Sequence, residues 1–104
     1  MPRPKCMRHI RGMPERNYFK PRGIPVSELE EITLHLDEFE AIRLADFEGL
    51  YHQEAAARMK ISRQTFGRIV VSARRKIADA LIYGKALRIE EEGKTRSLPG
   101  KYND

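Results

Sequence analysis

Within residues 60–81, KISRQTFGRIVVSARRKIADAL, the side chains Gln64, Arg68, Val71 and Arg75 recur at spacings of four, three and four. A helix turns by ~100° per residue, so these spacings stack the four along one face. Phe66, Ile69, Val70, Ala73, Ile77 and Leu81 gather on the opposite face as a core-facing stripe. The first ridge carries guanidinium forks, an amide that both donates and accepts, and one methyl-bearing side chain. Gly67 flanks it and leaves room for close approach, while Arg63, Arg74 and Lys76 lie nearer the sides. Asp79 is the only acid of the stretch, and it comes well after the first turns. Ordinary solvated helices mix Glu with Lys. A face cleared of carboxylates suits a polyanion. The plainer reading is two packed helices with a basic exterior, in which Val71 serves subunit packing.

The preceding residues supply a platform for this ridge. Setting the first position of a helix–turn–helix at His52 puts Ala55 and Ala56 where two helices approach closely. Met59, Ile61, Phe66 and Ile69 then fall where side chains must be buried to fix the angle between the helices. Ser62 stands at the N-cap of the second helix, where its hydroxyl can bond a free backbone N–H. In such an arrangement the N-terminal half of the second helix, predicted over 62–82, enters the major groove of DNA. Arg63 or Arg68 would address guanine O6 and N7, Gln64 adenine N6 and N7, and Val71 a thymine methyl. Ser62, Thr65 and Arg75 suit phosphates. Phosphate contacts outnumber base contacts in general, so for any single Arg the phosphate role is the safer assignment.

The composition agrees with this reading and excludes others. The chain has 104 residues, a length for one domain of modest core. Its net charge of +5 is unevenly spread. Residues 1–26 hold seven Lys/Arg against one acid, 27–62 three against nine, 63–88 seven against one, and 89–104 three against four. The alternation puts positive charge on two segments that can converge on one polyanion. Its plainer reading is mutual pairing of basic and acidic segments. No apolar run approaches the ~18–20 residues of a membrane span, and no apolar stretch follows the basic start as in a secretory signal. A single cysteine, Cys6, cannot form an intrachain disulfide, and a cytoplasmic location is expected.

Three regions follow from the pattern. Residues 1–26 form a basic arm in which Pro2, Pro4, Pro14, Pro21 and Pro25 interrupt every helix; Tyr18–Phe19 is its aromatic anchor. Residues 27–92 form the DNA-binding domain, and 93–104 a disordered tail. Within the domain, EITLHL (31–36) alternates apolar and polar as a half-buried strand. Asp37, with Glu40 three residues on, has the pattern of a capping box for the helix that follows, and Gly49 stops it. The dipole and cap account for the acids Asp37, Glu38 and Glu40 more simply than a metal or acid–base site does. A short helix is predicted over 52–59 and a turn at 60–61. Gly84 ends the long helix, and KALRIEEE (85–92) gives a second strand. The two strands pair with each other or across a dimer.

The motifs carry a resemblance. Residues 36–81, LDEFEAIRLADFEGLYHQEAAARMKISRQTFGRIVVSARRKIADAL, resemble the fourth region of sigma-70-type factors, which reads a promoter element. PRPKC, NYFKP, SELEE, LDEFEAIRLAD, EAAARM, SRQTFGRI, ARRKIADAL and GKALRIE extend the likeness, over roughly residues 1–92, to a small prokaryotic family of uncharacterised proteins predicted to bind DNA. The resemblance implies a mainly α fold: a helix–turn–helix in a sigma region 4-like or winged-helix-like three-helix core, with two short strands and an irregular N-terminal arm. It implies a role in transcription, with double-stranded DNA, a homodimer and RNA polymerase as candidate partners. Relatives sometimes carry a further domain similar to those that handle nitrogenase iron–molybdenum cofactor; the 104 residues hold no counterpart, and no cofactor is expected. Where relatives have glycine in the turn this chain has Lys60, at a position that tends to take a positive φ. Lys60 would offer a phosphate contact in return.

The arm residues Arg3, Lys5, Arg8 and Arg11 suit a minor groove next to a bound helix, or else belong to a strap anchored by Tyr18 and Phe19. Cys6 and His9 have a metal-like spacing, but two ligands do not close a tetrahedral site, and no metal is expected. His9, His35 and His52 are scattered, and there is no phosphate loop, dinucleotide fingerprint or nucleophile set. Catalysis is not expected. The function expected is that of a DNA-binding transcriptional regulator; the alternative is an interaction module that contacts the transcription machinery through the basic helix.

Overall fold

The computed structural model describes Ile10 and residues 14–90 of the chain. It is mainly helical, with a small sheet at one side. In chain order the elements are β1 (Tyr18–Phe19), a single 3-10 turn (Val26–Glu28), β2 (Glu31–His35), α1 (Leu36–Ile42), a π-helical turn (Arg43–Phe47), α2 (His52–Met59), α3 (Arg63–Tyr83) and β3 (Ala86–Glu90).

The sheet has three strands where the sequence predicts two. Its order is β1-β3-β2. β2 and β3 run parallel, with Glu31 opposite Ala86 and His35 opposite Glu90. Parallel neighbours need a long crossover, and all three helices lie in it. β1 pairs antiparallel with β3 through Tyr18–Arg88 and Phe19–Leu87, and Asn17 O accepts from the Ile89 N–H at 2.9 Å. The segment 18–19, expected as the aromatic anchor of the arm, is thus held to the domain as a strand of its sheet.

The start of α1 also differs from expectation. Asp37 is not its cap: His35 is, and the Glu38 carboxylate accepts from the His35 backbone N–H at 2.9 Å. β2 runs directly into the helix, so the last strand residue becomes the first cap residue. Glu40 is freed for another task, described below. The Glu48 N–H reaches back five residues to Arg43 O, the π-type turn that ends this helical stretch just before Gly49.

The core is continuous from α1 through α2 to α3. Ala41, Leu44, Ala45, Ala55, Ala56, Met59, Phe66, Ile69 and Val70 form its main cluster, with Ile61 packed against it. The alanines let backbones approach closely, while Phe66 and Met59 fill the space between helices. The His52 ring meets Phe66 edge to face, with centroids 5.1 Å apart. A second cluster, Leu34, Ala73 and Ile89, joins the sheet to the middle of α3. Leu81 does not continue this stripe. Ala80 is the buried residue in that turn, and Leu81 stands 77% exposed. Gly84, at φ 67°, closes α3 in the left-handed conformation that glycine adopts without strain and turns the chain into β3.

Candidate nucleic-acid interface

The turn between α2 and α3 is short and tightly bonded. The Lys60 N–H donates to Ala57 O at 3.1 Å and the Ile61 N–H to Ala56 O at 3.1 Å. Lys60 takes φ 59°, ψ 44°, the left-handed conformation that the sequence anticipates at this position. It is the one non-glycine residue with positive φ among those described, a strain of about 1 kcal/mol. Ser62 then caps α3: its Oγ accepts from the Thr65 N–H at 3.0 Å and donates to Thr65 Oγ1 at 3.0 Å. The Ser62 hydroxyl is therefore committed to the cap, and Thr65 keeps its own proton to donate.

From this anchored start α3 presents two unlike sides. Phe66, Ile69, Val70, Ala73 and Ala80 are buried. Arg63, Gln64, Arg68, Val71 and Arg75 are exposed. A Cβ added at Gly67 would meet nothing within 4 Å, so the helix surface there stands open. The structure places Lys60 and Ser62 exposed at the turn and Arg63, Gln64, Arg68, Val71 and Arg75 exposed on α3, with Thr65 half-buried beside the cap. Arg3 and Lys5 lie outside the described residues, as do Arg8, Arg11, Cys6 and His9.

The employment of the cations separates this surface from the rest. Arg43, Arg58, Arg74, Lys76, Lys85 and Arg88 each face a carboxylate, at 2.7 to 3.5 Å. Lys60, Arg63, Arg68 and Arg75 face none among the described residues; Arg16, Lys20 and Arg22, before and after β1, share that condition, with Arg16 and Lys20 donating to backbone carbonyls instead. Arg74 and Lys76, read from the sequence as part of the basic flank, belong to the paired set. Arg74 grips Asp46 through two guanidinium nitrogens, at 2.8 and 3.1 Å, which keeps its proton bound more firmly than usual. Lys76 Nζ donates to Glu38 Oε1 and Thr33 O, both at 2.8 Å.

Two buried carboxylates hold this arrangement. Burial of Glu38 by itself would raise its pKa. Hydrogen bonds from Lys76, from Ser72 Oγ at 2.6 Å and from the His35 N–H outweigh that and hold it below the ordinary glutamate value. One side chain thereby ties the start of α1 to the middle of α3. Glu40, 1% exposed, takes both ends of the Arg43 fork at 2.9 Å, and the same guanidinium reaches Glu48 at 2.7 Å. On the sheet the Tyr18 hydroxyl donates to Glu31 at 2.6 Å. Burial first, then this bond, push its pKa up to about 12. None of these individual pairs was visible in the sequence, which read Asp37, Glu38 and Glu40 as dipole and cap residues and offered the pairing of basic with acidic segments only in general.

Among the described residues, no three His, Cys, Asp or Glu side chains gather as a metal ion would require. No helix among them is long and apolar enough to cross a membrane.

Comparison with known proteins agrees on family. A UPF0251 protein of Prosthecochloris aestuarii is 59% identical over 88 residues, which cover 85% of this chain and 57% of that protein. A UPF0251 protein of Caldanaerobacter subterraneus is 59% identical over 90 residues, covering 86% of this chain and 76% of the relative. A third, from Syntrophobacter fumaroxidans, is 54% identical over 101 residues, covering 97% and 65%. This chain thus spans little more than half of the first relative. No solved structure matches significantly. Residues 1–97 match the family described as "Protein of unknown function DUF134", and the chain belongs to that family.

Proposed function

We propose that the protein binds double-stranded DNA as a transcriptional regulator, with α2, the turn and α3 acting as a helix–turn–helix whose second helix enters the major groove. The observation that carries this reading is the set of exposed cations Lys60, Arg63, Arg68 and Arg75, left without described carboxylates on a chain that pairs most of its other described cations. Burial of Met59, Phe66 and Ile69 and the Ser62 cap support it, because they hold α3 at a fixed angle and leave its outer face free. In this reading Gln64 and Arg68 lie at the centre of the groove-facing ridge and address base edges, with Val71 against a thymine methyl. Lys60, Arg63 and Arg75 lie around them and neutralise phosphates, and Thr65 donates its free proton to one. In this reading the helical core is sigma region 4-like or winged-helix-like, and RNA polymerase is a candidate partner.

Selection of bound sequences from a random duplex pool tests the proposal. It predicts enrichment of one short motif, lost in Arg68→Ala. The rival, an interaction module, uses the same helix against an acidic protein surface. Binding to random duplex in the presence of an acidic competitor protein separates the two: DNA binding that survives excess competitor favours the groove reading.

A further inference from the structure

Leu81, Ile82 and Tyr83 are 77%, 71% and 74% exposed, and Ala78 before them is exposed as well. Together they expose roughly 400 Å² of mostly apolar surface, as large as the principal patch on many monomers. Polar residues at the rim are already matched: Lys85 reaches Asp79 at 3.2 Å and Glu30 at 3.3 Å. An approaching apolar surface therefore meets no uncompensated charge at that edge.

The position on α3 identifies the occupant. Arg68, at the centre of the proposed groove-facing ridge, lies twelve residues from Ala80, the middle of the exposed end, or about 18 Å along the helix axis. Two copies joined end to end and antiparallel at this point would set their Arg68 residues about 36 Å apart. That is one turn of duplex, the separation at which two-fold proteins meet successive major grooves, ~34–36 Å. At ~100° per residue Ala78 lies about 60° and Leu81 about 120° to one side of Arg75, Ile82 nearly in line with the Gln64–Arg75 ridge, and Tyr83 on its other side. A partner seated on the Ala78–Leu81 side leaves both ridges facing the same way, along the two-fold axis.

We propose that the exposed C-terminal end of α3, built from Ala78, Leu81, Ile82 and Tyr83, is an isologous contact with a second copy of this chain. The spacing argument rests on the DNA reading above; the contact itself does not. The area is small for a permanent dimer, so association is weak in free solution and strengthens on a duplex that holds two sites.

Sedimentation of the full chain over a wide range of concentration, without DNA, tests the contact. The expected result is a monomer–dimer equilibrium that Leu81→Gln with Ile82→Gln weakens by about tenfold or more. Both residues are exposed, and an unchanged melting temperature checks that the variant folds. A wild type monomeric at every concentration, or a variant that dimerises as the wild type does, overturns the proposal. Binding to a random duplex too short to hold two copies is measured in parallel, where the variant is expected to stay within about twofold of wild type, since its ridge is intact. Loss of DNA binding in both proteins, with dimerisation still sensitive to the substitutions, would refute the DNA reading and leave the contact standing.

Discussion

Arg68 and Arg43 are the same residue type put to opposite uses. Arg43 is held in a fork by Glu40 and reaches Glu48 besides, so its charge is spent within the fold and its pKa is pushed up by the Glu40 hydrogen bonds. Arg68 lies on the open side of α3, with no described carboxylate in reach. The contrast extends along α3, where Arg74 and Lys76 face the carboxylates of Asp46 and Glu38, while Arg63, Arg68 and Arg75, like Lys60 in the turn, face none among the described residues. A count of basic residues in a segment therefore overstates what is available to a partner. What matters is whether the fold places a carboxylate within reach.

The contrast breaks most sharply under Arg43→Ala. Removing the guanidinium strips Glu40 of that partner while it stays buried, and the loss of stability is expected to be about 3 kcal/mol, read from urea unfolding. Arg68→Ala should shift stability by no more than about 0.5 kcal/mol. On duplex the order reverses: Arg68→Ala is expected to cost about 1–3 kcal/mol at a selected site, measured by fluorescence anisotropy, while Arg74→Ala costs far less. Equal losses for Arg68→Ala and Arg74→Ala would erase the distinction.

Acid sharpens it further. Glu38 has a folded pKa below its ordinary value, so it contributes stability above the unfolded pKa and loses it as pH falls through the folded one. The melting temperature is expected to fall as pH drops below the pKa of an unfolded glutamate, and to fall more gently in Glu38→Gln. The smallest effect concerns the turn. Lys60→Gly should relieve the left-handed strain and stabilise the fold by about 1 kcal/mol in calorimetry, while weakening DNA binding by one phosphate contact.

The parts legible in the sequence were those with a local period. Helices at 52–59 and along 62–82, the Ser62 cap and the buried Phe66 and Ile69 all follow from spacings within a few residues, while the left-handed turn at Lys60 was implied by the glycine that relatives carry there. What failed lacked such a signal. Tyr18–Phe19 is too short to alternate, and its partner lies in β3. The cap at His35 depends on β2 ending where α1 begins, which the Asp37–Glu40 pattern disguised. Leu81 was placed on the core face by its helical spacing, but it lies at the edge of that stripe, where Ala80 sits nearer the buried centre. The Glu38–Lys76 bond joins residues 38 apart, and no pattern in a single sequence marks it.

The dependence of random-duplex binding on salt tests the central claim most directly, with Arg63→Ala/Arg68→Ala beside the unaltered chain. The account predicts affinity that falls steeply with salt, and a slope shallower by about 0.9 for each phosphate contact that the substitutions remove. Binding that is absent, insensitive to salt, or equally steep in both proteins would contradict it.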